Sequence, residues 1–223
     1  RRRDTCFSYC RNGVVRMKVL NLYSGVGGNR KLWTDADVTA VEYSGDIAEV
    51  YSHHFPDDEV VVADAHEFLL EHLEDGWDFI WSSPPCQSHS RFILSGRNRK
   101  PRFPDMKLYE EIILLQTWSE RLGFSYCVEN VVPYYGELIP AHRVGRHLFW
   151  SDLCLSSVED VASPKDFIKK QNAEASKQMQ EWLGISWNKN IYYDGNHDVT
   201  QIWRNAVHPE IGRQIYEIAG GEA

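Results

Sequence analysis

No run of this 223-residue sequence approaches the roughly 18 consecutive apolar residues that a membrane-spanning helix needs. The basic N-terminus is not followed by an apolar stretch, so no secretory signal is expected. Cysteine is sparse and odd in number, with five residues scattered over positions 6, 10, 86, 127 and 154. That excludes a disulfide scaffold and suits a reducing, cytoplasmic setting. Cys6 and Cys10 have no second pair at metal-ligand spacing nearby, so no metal site is expected. Positive charge is in deficit: 24 Lys and Arg against 32 Asp and Glu leave −8, which argues against a general nucleic-acid binder. The dinucleotide fingerprint G-x-G-x-x-G is missing, which counts against a nucleotide-dependent oxidoreductase.

What is there is ordinary globular material, 43% hydrophobic and 25% charged, of a length for one domain with at most a small appendage. Residues 1–16 look unlike the rest and read as a leader, tag or upstream remnant ahead of Met17. Short apolar runs then alternate with helical patterns. Strands are expected at 18–22, 37–43, 59–64, 77–83, 124–130 and 146–152, and helices at 45–55, 65–73 and 105–123. This is the signature of parallel βαβ units in a doubly wound α/β sheet. Such sheets bind ligands beyond the carboxyl ends of their strands. The pattern breaks between Leu153 and Val199, where one polar helix is expected over 163–185, followed by an aromatic, turn-rich stretch. A last helix from Pro209 carries Ile211, Ile215, Ile218 and Ala219 on one face and should return to the core.

The residues with chemical potential fall at strand ends. "SGVGG" (24–28) supplies glycines where a ligand or a helix start comes close to the backbone. Glu42, one βαβ step on, is placed to take both hydroxyls of a ribose, and Asp64 to accept from an exocyclic amine. "SSPPCQSHS" displays Cys86 behind two prolines that each fix φ and remove a donor. Glu129 ends the neighbouring run. A thiol and a carboxyl facing each other across a cleft can attack an electron-poor ring and supply it with a proton. From Arg91 to Lys107 the chain carries six basic residues against one acid, a local anion-binding surface tied to Cys86.

In this order and spacing the motifs resemble those of the DNA (cytosine-5) methyltransferases, in a compact, phage- or prokaryote-like form, over most of the chain from Met17. "NLYSGVGG", "VEYS" and "ADAH" are similar to the motifs that bind S-adenosylmethionine. "SSPPCQSHS" is similar to the Pro-Cys-Gln motif and "VENV" to the Glu-Asn-Val motif. "HRVGRHLFW" resembles the arginine motif and "QIWRNAVHP" the closing motif. The resemblance implies a Rossmann-like fold, with 17–152 as catalytic domain, 153–199 as a reduced target-recognition region, and 200–223 returning to the catalytic domain. It implies methylation of carbon 5 of a cytosine flipped out of duplex DNA, with Cys86 as nucleophile, Glu129 holding the ring and Arg146 contacting its oxygen 2. Cofactor contacts carry over to Tyr23, Ser24, Gly25, Gly27, Gly28, Glu42, Tyr43, Asp64, Ala65, Pro85, Asn205 and Val207. DNA contacts are expected from Gln87, Ser90, Arg91, Arg97, Arg99, Lys100 and Arg102. Within the reduced region, Lys165, Lys169, Lys170, Lys177, Trp187, Lys189, Tyr192 and Tyr193 either meet DNA or form a solvated helix face and a small aromatic core.

The sequence also departs from the family pattern. Tyr23 stands where phenylalanine is usual, Val144 replaces the first arginine of its motif, and Arg204 precedes Asn205 in place of glycine. A guanidinium at 204 admits a carboxylate-bearing donor, carboxy-S-adenosylmethionine. The same motifs would also suit RNA as substrate, or a catalytically silent DNA-binding homologue that recruits a protein partner. The expected form is a monomer in the cytoplasm of a prokaryote or a phage-infected cell.

Overall fold

Val19, Leu20 and Leu22 lie in a strand whose alternate residues point to opposite faces, and both faces are buried. This is why "KVLNL" reads as a continuous apolar run rather than an alternating one. The computed structural model describes residues 10–11, 14–94, 103–164, 170–189, 191 and 199–220. A small ladder of Cys10–Arg11 (β1) and Val14–Val15 (β2) precedes the main sheet. The sheet is built from β3 (Met17–Leu22), β4 (Ala36–Glu42), β5 (Glu59–Val62), β6 (Phe79–Ser82), β7 (Ser125–Val131), β8 (His142–Val144) and β9 (His147–Ser151). Its helices are α1 (Gly45–His54), α2 (Ala65–His72), α3 (Lys107–Leu122), α4 (Ala173–Leu183), α5 (Gln201–Arg204) and α6 (Pro209–Gly220). None of the described helices is long and apolar enough to cross a membrane.

The strand order is β5-β4-β3-β6-β7-β9-β8, with β5 through β7 parallel and β9 and β8 antiparallel. This is the expected doubly wound, mostly parallel Rossmann-like sheet. The chain runs outward from β3 to β5, then returns to β6 on the other side of β3. A crevice therefore opens beyond the ends of β3 and β6, the topological switch point. One face packs Val19, Phe79, Trp81 and Phe149 against Trp33, Tyr51, Ile211 and Ile215. The other packs Leu20, Leu22, Ile80 and Val128 against Leu69, Ile112 and Leu115.

The structure differs from the sequence reading in three places. The polar helix expected from residue 163 starts only at Ala173. Asn172 caps it, its side chain accepting from Ala175 N at 2.9 Å, while Ser163 and Pro164 are not helical. β8 was not expected. It pairs with β9 through a two-residue turn, Gly145–Arg146, with Gly145 at φ +55°. The short α5 was not expected either. α6 starts at Pro209, and its Ile211 and Ile215 are buried while Ile218 and Ala219 pack beside them.

α6 is locked against the glycine-rich turn. Trp33 Nε1 donates to Gly212 O at 3.0 Å, and Tyr216 Oη donates to Thr34 O at 2.7 Å. A Cβ on Gly212 would lie 2.1 Å from the Asn29 carbonyl oxygen, so helix and turn touch backbone to backbone. Gly212→Ala should therefore destabilise the protein by about 1–3 kcal/mol, the usual cost of overpacking, read as a lowered urea midpoint at unchanged slope.

Candidate active site

Beyond β3 the chain turns sharply, with Tyr23, Gly25 and Gly27 all at positive φ. Glu42, at the end of β4, is buried against this turn. One of its oxygens accepts from Gly25 N at 3.0 Å and the other from Ser44 N at 2.9 Å. Burial pushes its pKa up, and the backbone donors work against that push. Backbone donors from Ser44, Gly25 and Tyr43 leave part of its acceptor capacity for a further donor. Ser24 Oγ is buried beside it with no hydrogen-bond partner. The Tyr43 ring, 76% exposed, follows directly. Asp64 caps α2, with Oδ1 accepting from His66 N at 2.9 Å and Glu67 N at 3.1 Å. Its Oδ2 lies 3.9 Å from Lys107 Nζ. Ala65 is buried in the first turn of α2. A Cβ on Gly28 would lie 2.4 Å from Val207 O and 3.0 Å from the Ala206 Cβ, so Ala206 and Val207 sit against the turn. This donor set, an unpartnered hydroxyl beside an acid with free lone pairs, fits the polar edges of an adenosine-type cofactor.

Beneath the crevice lies a carboxylate that sequence reading missed. Glu111 of α3 is 0% exposed. It accepts from Tyr23 Oη at 2.5 Å and Ser82 Oγ at 2.6 Å, and pairs with His66 Nδ1 at 2.9 Å. One side chain thus ties the ends of β3 and β6 to α2 and α3. The tyrosine in place of phenylalanine at 23 supplies one of these bonds. The signal in the sequence was an acid on the same helical stripe as Leu108, Ile112 and Leu115.

Cys86 follows β6 on a stiff approach anchored from β7, where Asn130 Nδ2 donates to Pro84 O at 2.9 Å. The Cys86 carbonyl accepts from His89 N at 3.0 Å and Ser90 N at 2.9 Å, so the thiol stands at the head of a tight turn. Burial and the nearby Glu129 carboxylate push its pKa up to about 11, against the pull of Arg146. Glu129, buried on β7, is oriented by His147 Nδ1 at 2.5 Å, a partner the sequence reading did not pick out, although it lies within "HRVGRH". Arg146 projects from the β8–β9 turn, and its Nη2 donates to Arg204 O at 2.9 Å. Burial lowers its pKa, while Glu129 and Cys86 favour its charge and Arg204 opposes it. Cys86, Glu129 and Arg146, widely separated in sequence, are thus electrostatic neighbours.

The turn after Cys86 is tied down on both sides. Ser90 bridges to Pro133, and Tyr134 N donates to His89 O at 2.9 Å. Buried His89 shares a 2.7 Å bond with Tyr135 Oη through Nδ1, and Tyr135 Oη donates to Tyr109 Oη at 3.2 Å. Asp105 N returns to Ser88 Oγ at 3.0 Å. Of the expected DNA contacts, Gln87 has a buried, unpartnered Oε1, Ser90 Oγ accepts from Phe92 N, and Arg91 is exposed. Arg97, Arg99, Lys100 and Arg102 lie outside the described residues, as do Lys165, Lys169, Tyr192 and Tyr193. In the 153–199 region, Lys170 is exposed. Lys177 lies 3.9 Å from Glu181, and Lys189 pairs with Glu49 at 3.0 Å. The Trp187 ring packs on His53. Ala175, Met179 and Leu183 of α4 pack on Val26 and on Ile47 and Val50 of α1. The apolar side of α4 therefore shares a core with α1, while its Lys177 side is exposed.

Residues 17–113 match the family described as C-5 cytosine-specific DNA methylase. Curated relatives include the mouse tRNA (cytosine(38)-C(5))-methyltransferase, 32% identical over 92 residues, covering 39% of this chain and 22% of that protein. The human protein of the same name is 32% identical over 86 residues, covering 36% and 22%. The matched stretch thus spans under a quarter of these relatives' length. Among solved structures, a Spodoptera frugiperda DNMT2 mutant superposes with a TM-score of 0.53 at 15% identity, over 92% of this chain and 99% of that one. Entamoeba histolytica methyltransferase EhMeth gives 0.53 at 12% identity, over 94% and 99%. These likenesses establish the fold.

Two measurements check the site's electrostatics. Glu111→Ala removes the partner of a buried histidine and should cost about 3 kcal/mol in urea unfolding. Glu111 also raises the pKa of His66. The folded state therefore holds that proton more tightly than the unfolded chain. The associated stability is full below about pH 6.5 and fades as pH rises through the raised value. Glu111→Ala should erase this pH dependence. Glu129→Gln removes the negative charge that raises the Cys86 pKa, so iodoacetamide should label Cys86 faster than in the wild type at pH 8–9, as read by peptide mapping.

Proposed function

From the C-5 cytosine-specific DNA methylase match over residues 17–113, we propose that this chain transfers a methyl group from S-adenosylmethionine to carbon 5 of cytosine in DNA, through a covalent bond from Cys86. The observation that carries this reading is the convergence of Cys86, Glu129 and Arg146 beside the Glu42–Ser24 crevice. Glu42 would take the ribose hydroxyls, Ser24 Oγ a polar edge, Asp64 Oδ2 the exocyclic amine and Tyr43 the adenine face. The bound donor supplies an electrophilic methyl group.

With its pKa near 11, Cys86 rests as a thiol at neutral pH. It passes its proton to water as the target ring enters, and Arg146 stabilises the sulfur charge. The thiolate attacks carbon 6, and the ring electrons move toward carbon 5. Glu129, held by His147, hydrogen-bonds nitrogen 3 and the amine and favours protonation there. Arg146 meets ring oxygen 2. Carbon 5 would then take the methyl carbon as the donor's methyl–sulfonium bond breaks, with that electron pair staying on the donor sulfur, and would pass its proton to water. The carbon–sulfur bond breaks, and its electron pair returns to Cys86. In this reading 17–152 holds the chemistry, 153–199 is a reduced recognition region and 200–223 closes the cofactor side.

A second reading keeps the chemistry and changes the polymer to RNA, supported by relatives named as tRNA cytosine methyltransferases. Native DNA, heat-denatured DNA and tRNA, each incubated with the protein and S-adenosylmethionine, are digested to nucleosides for mass spectrometry. New 5-methyldeoxycytidine that disappears in Cys86→Ser is the expected result. 5-Methylcytidine from tRNA alone would favour the RNA reading, and no product from any polymer would overturn both.

A further inference from the structure

In the proposed reaction Glu129 meets nitrogen 3 only with its carboxyl turned into the crevice, and a glutamate has three rotatable side-chain bonds. The sheet supplies a partner that removes this freedom. β7 and β9 run antiparallel, with Glu129 opposite Phe149 and Val131 opposite His147. Residues two apart on a strand share a face, so Glu129 and His147 are diagonal neighbours on one side of the sheet. His147 Nδ1 lies 2.5 Å from Glu129 Oε1, and the two residues are 6% and 5% exposed. The imidazole is itself fixed. It sits beside the Phe149 ring, with centroids 6.2 Å apart, and the turn before it is tied to β7 by Val132 N donating to Arg146 O at 3.3 Å. The two strands already share a ladder from Cys127–Ser151 to Val131–His147, so this polar pair is not needed to join them. An apolar pair in its place would join them at a lower desolvation cost.

The chemistry sets which way the proton of this bond points. A cytosine attacked at carbon 6 offers two donors along one edge, the amine and the proton that nitrogen 3 gains. A carboxyl meets both only as an acceptor on each oxygen. We propose that His147 carries its proton on Nδ1 and donates it to Oε1, so that the carboxylate is aimed at the ring with Oε2 open to it. His147 is then a positioning residue that acts through Glu129. Nitrogen 3 takes its proton from water as sulfur bonds to carbon 6, and returns it to water when that bond breaks. His147 keeps its own proton throughout. This rests on the reading of Cys86 as nucleophile and of Glu129 as the ring contact.

The full chain, labelled with nitrogen-15 histidine, is read first by NMR. A proton resonance far downfield of the amide region is expected on Nδ1 of one imidazole. It should vanish in His147→Asn and move upfield in Glu129→Gln. Steady-state kinetics of methyl transfer to DNA follow. His147→Leu, which keeps bulk and removes the donor, should lower kcat about 100-fold while KM for DNA stays within about three-fold. His147→Asn, which places an amide N–H near the Nδ1 position, should recover kcat to within about five-fold of the wild type. Adding His147→Leu to Glu129→Gln should cost nothing further, since the two act as a unit. Three results would each overturn the proposal: a His147 imidazole protonated on Nε2 alone, a His147→Leu kcat within about three-fold of the wild type, or His147→Asn as slow as His147→Leu. The resonance is read without turnover. A wild type that shows it and transfers no methyl group would refute the proposed reaction and leave the donor assignment standing. Methyl transfer without the resonance would do the reverse.

Discussion

The crevice depends on one buried carboxylate. Glu111 accepts from Tyr23 and Ser82 and pairs with His66, and so fixes the ends of two strands and two helices to a common point. An acid with no solvent is tolerable only when its acceptor capacity is filled, and here it is filled from three other segments. Everything above it inherits that geometry: the glycine turn where Glu42 receives Gly25 N, the cap that Asp64 gives α2, and the line from Ser82 into Pro84, Pro85 and Cys86. Tyr23, which reads in the sequence as a departure from pattern, is in the fold a working part of this arrangement.

The thiol is held in tension. Burial and Glu129 disfavour its charge, and Arg146 favours it. The same three groups would experience any ring that enters between them. A sulfur kept protonated is protected from oxidation and stray alkylation, since the thiolate is the reactive form. The stiffness of the Pro-Pro approach acquires a cause as well. The Pro84 carbonyl is held by Asn130, one residue after Glu129, so thiol and carboxyl are positioned by neighbouring points on two paired strands.

The region between β9 and α5 is bound to the sheet domain through its described helix. That helix lies on α1 and shares a core with Val26 and Trp203. The exposed side chains near the thiol belong instead to the segment around the Cys86 turn, anchored through Ser88, Ser90 and His89.

The sequence by itself determined the alternation of strands and helices, the mostly parallel sheet, and the placing of Glu42 at a strand end with Asp64 and Cys86 beyond theirs, whereas Glu129, expected at a strand end, lies inside β7. The features so determined follow from local periodicity and from residues that stiffen or free the backbone, which act within a few positions. The acid at 111 was visible as a polar break in an apolar stripe, but its three partners were not, because they lie 29 to 88 residues away in the chain. The same holds for the His147–Glu129 bond, the Asn130 anchor on Pro84 and the docking of α4 on α1. Only the tertiary structure decided these. A hydrogen bond between distant segments depends on which strand ends the topology makes adjacent, and no local pattern carries that information.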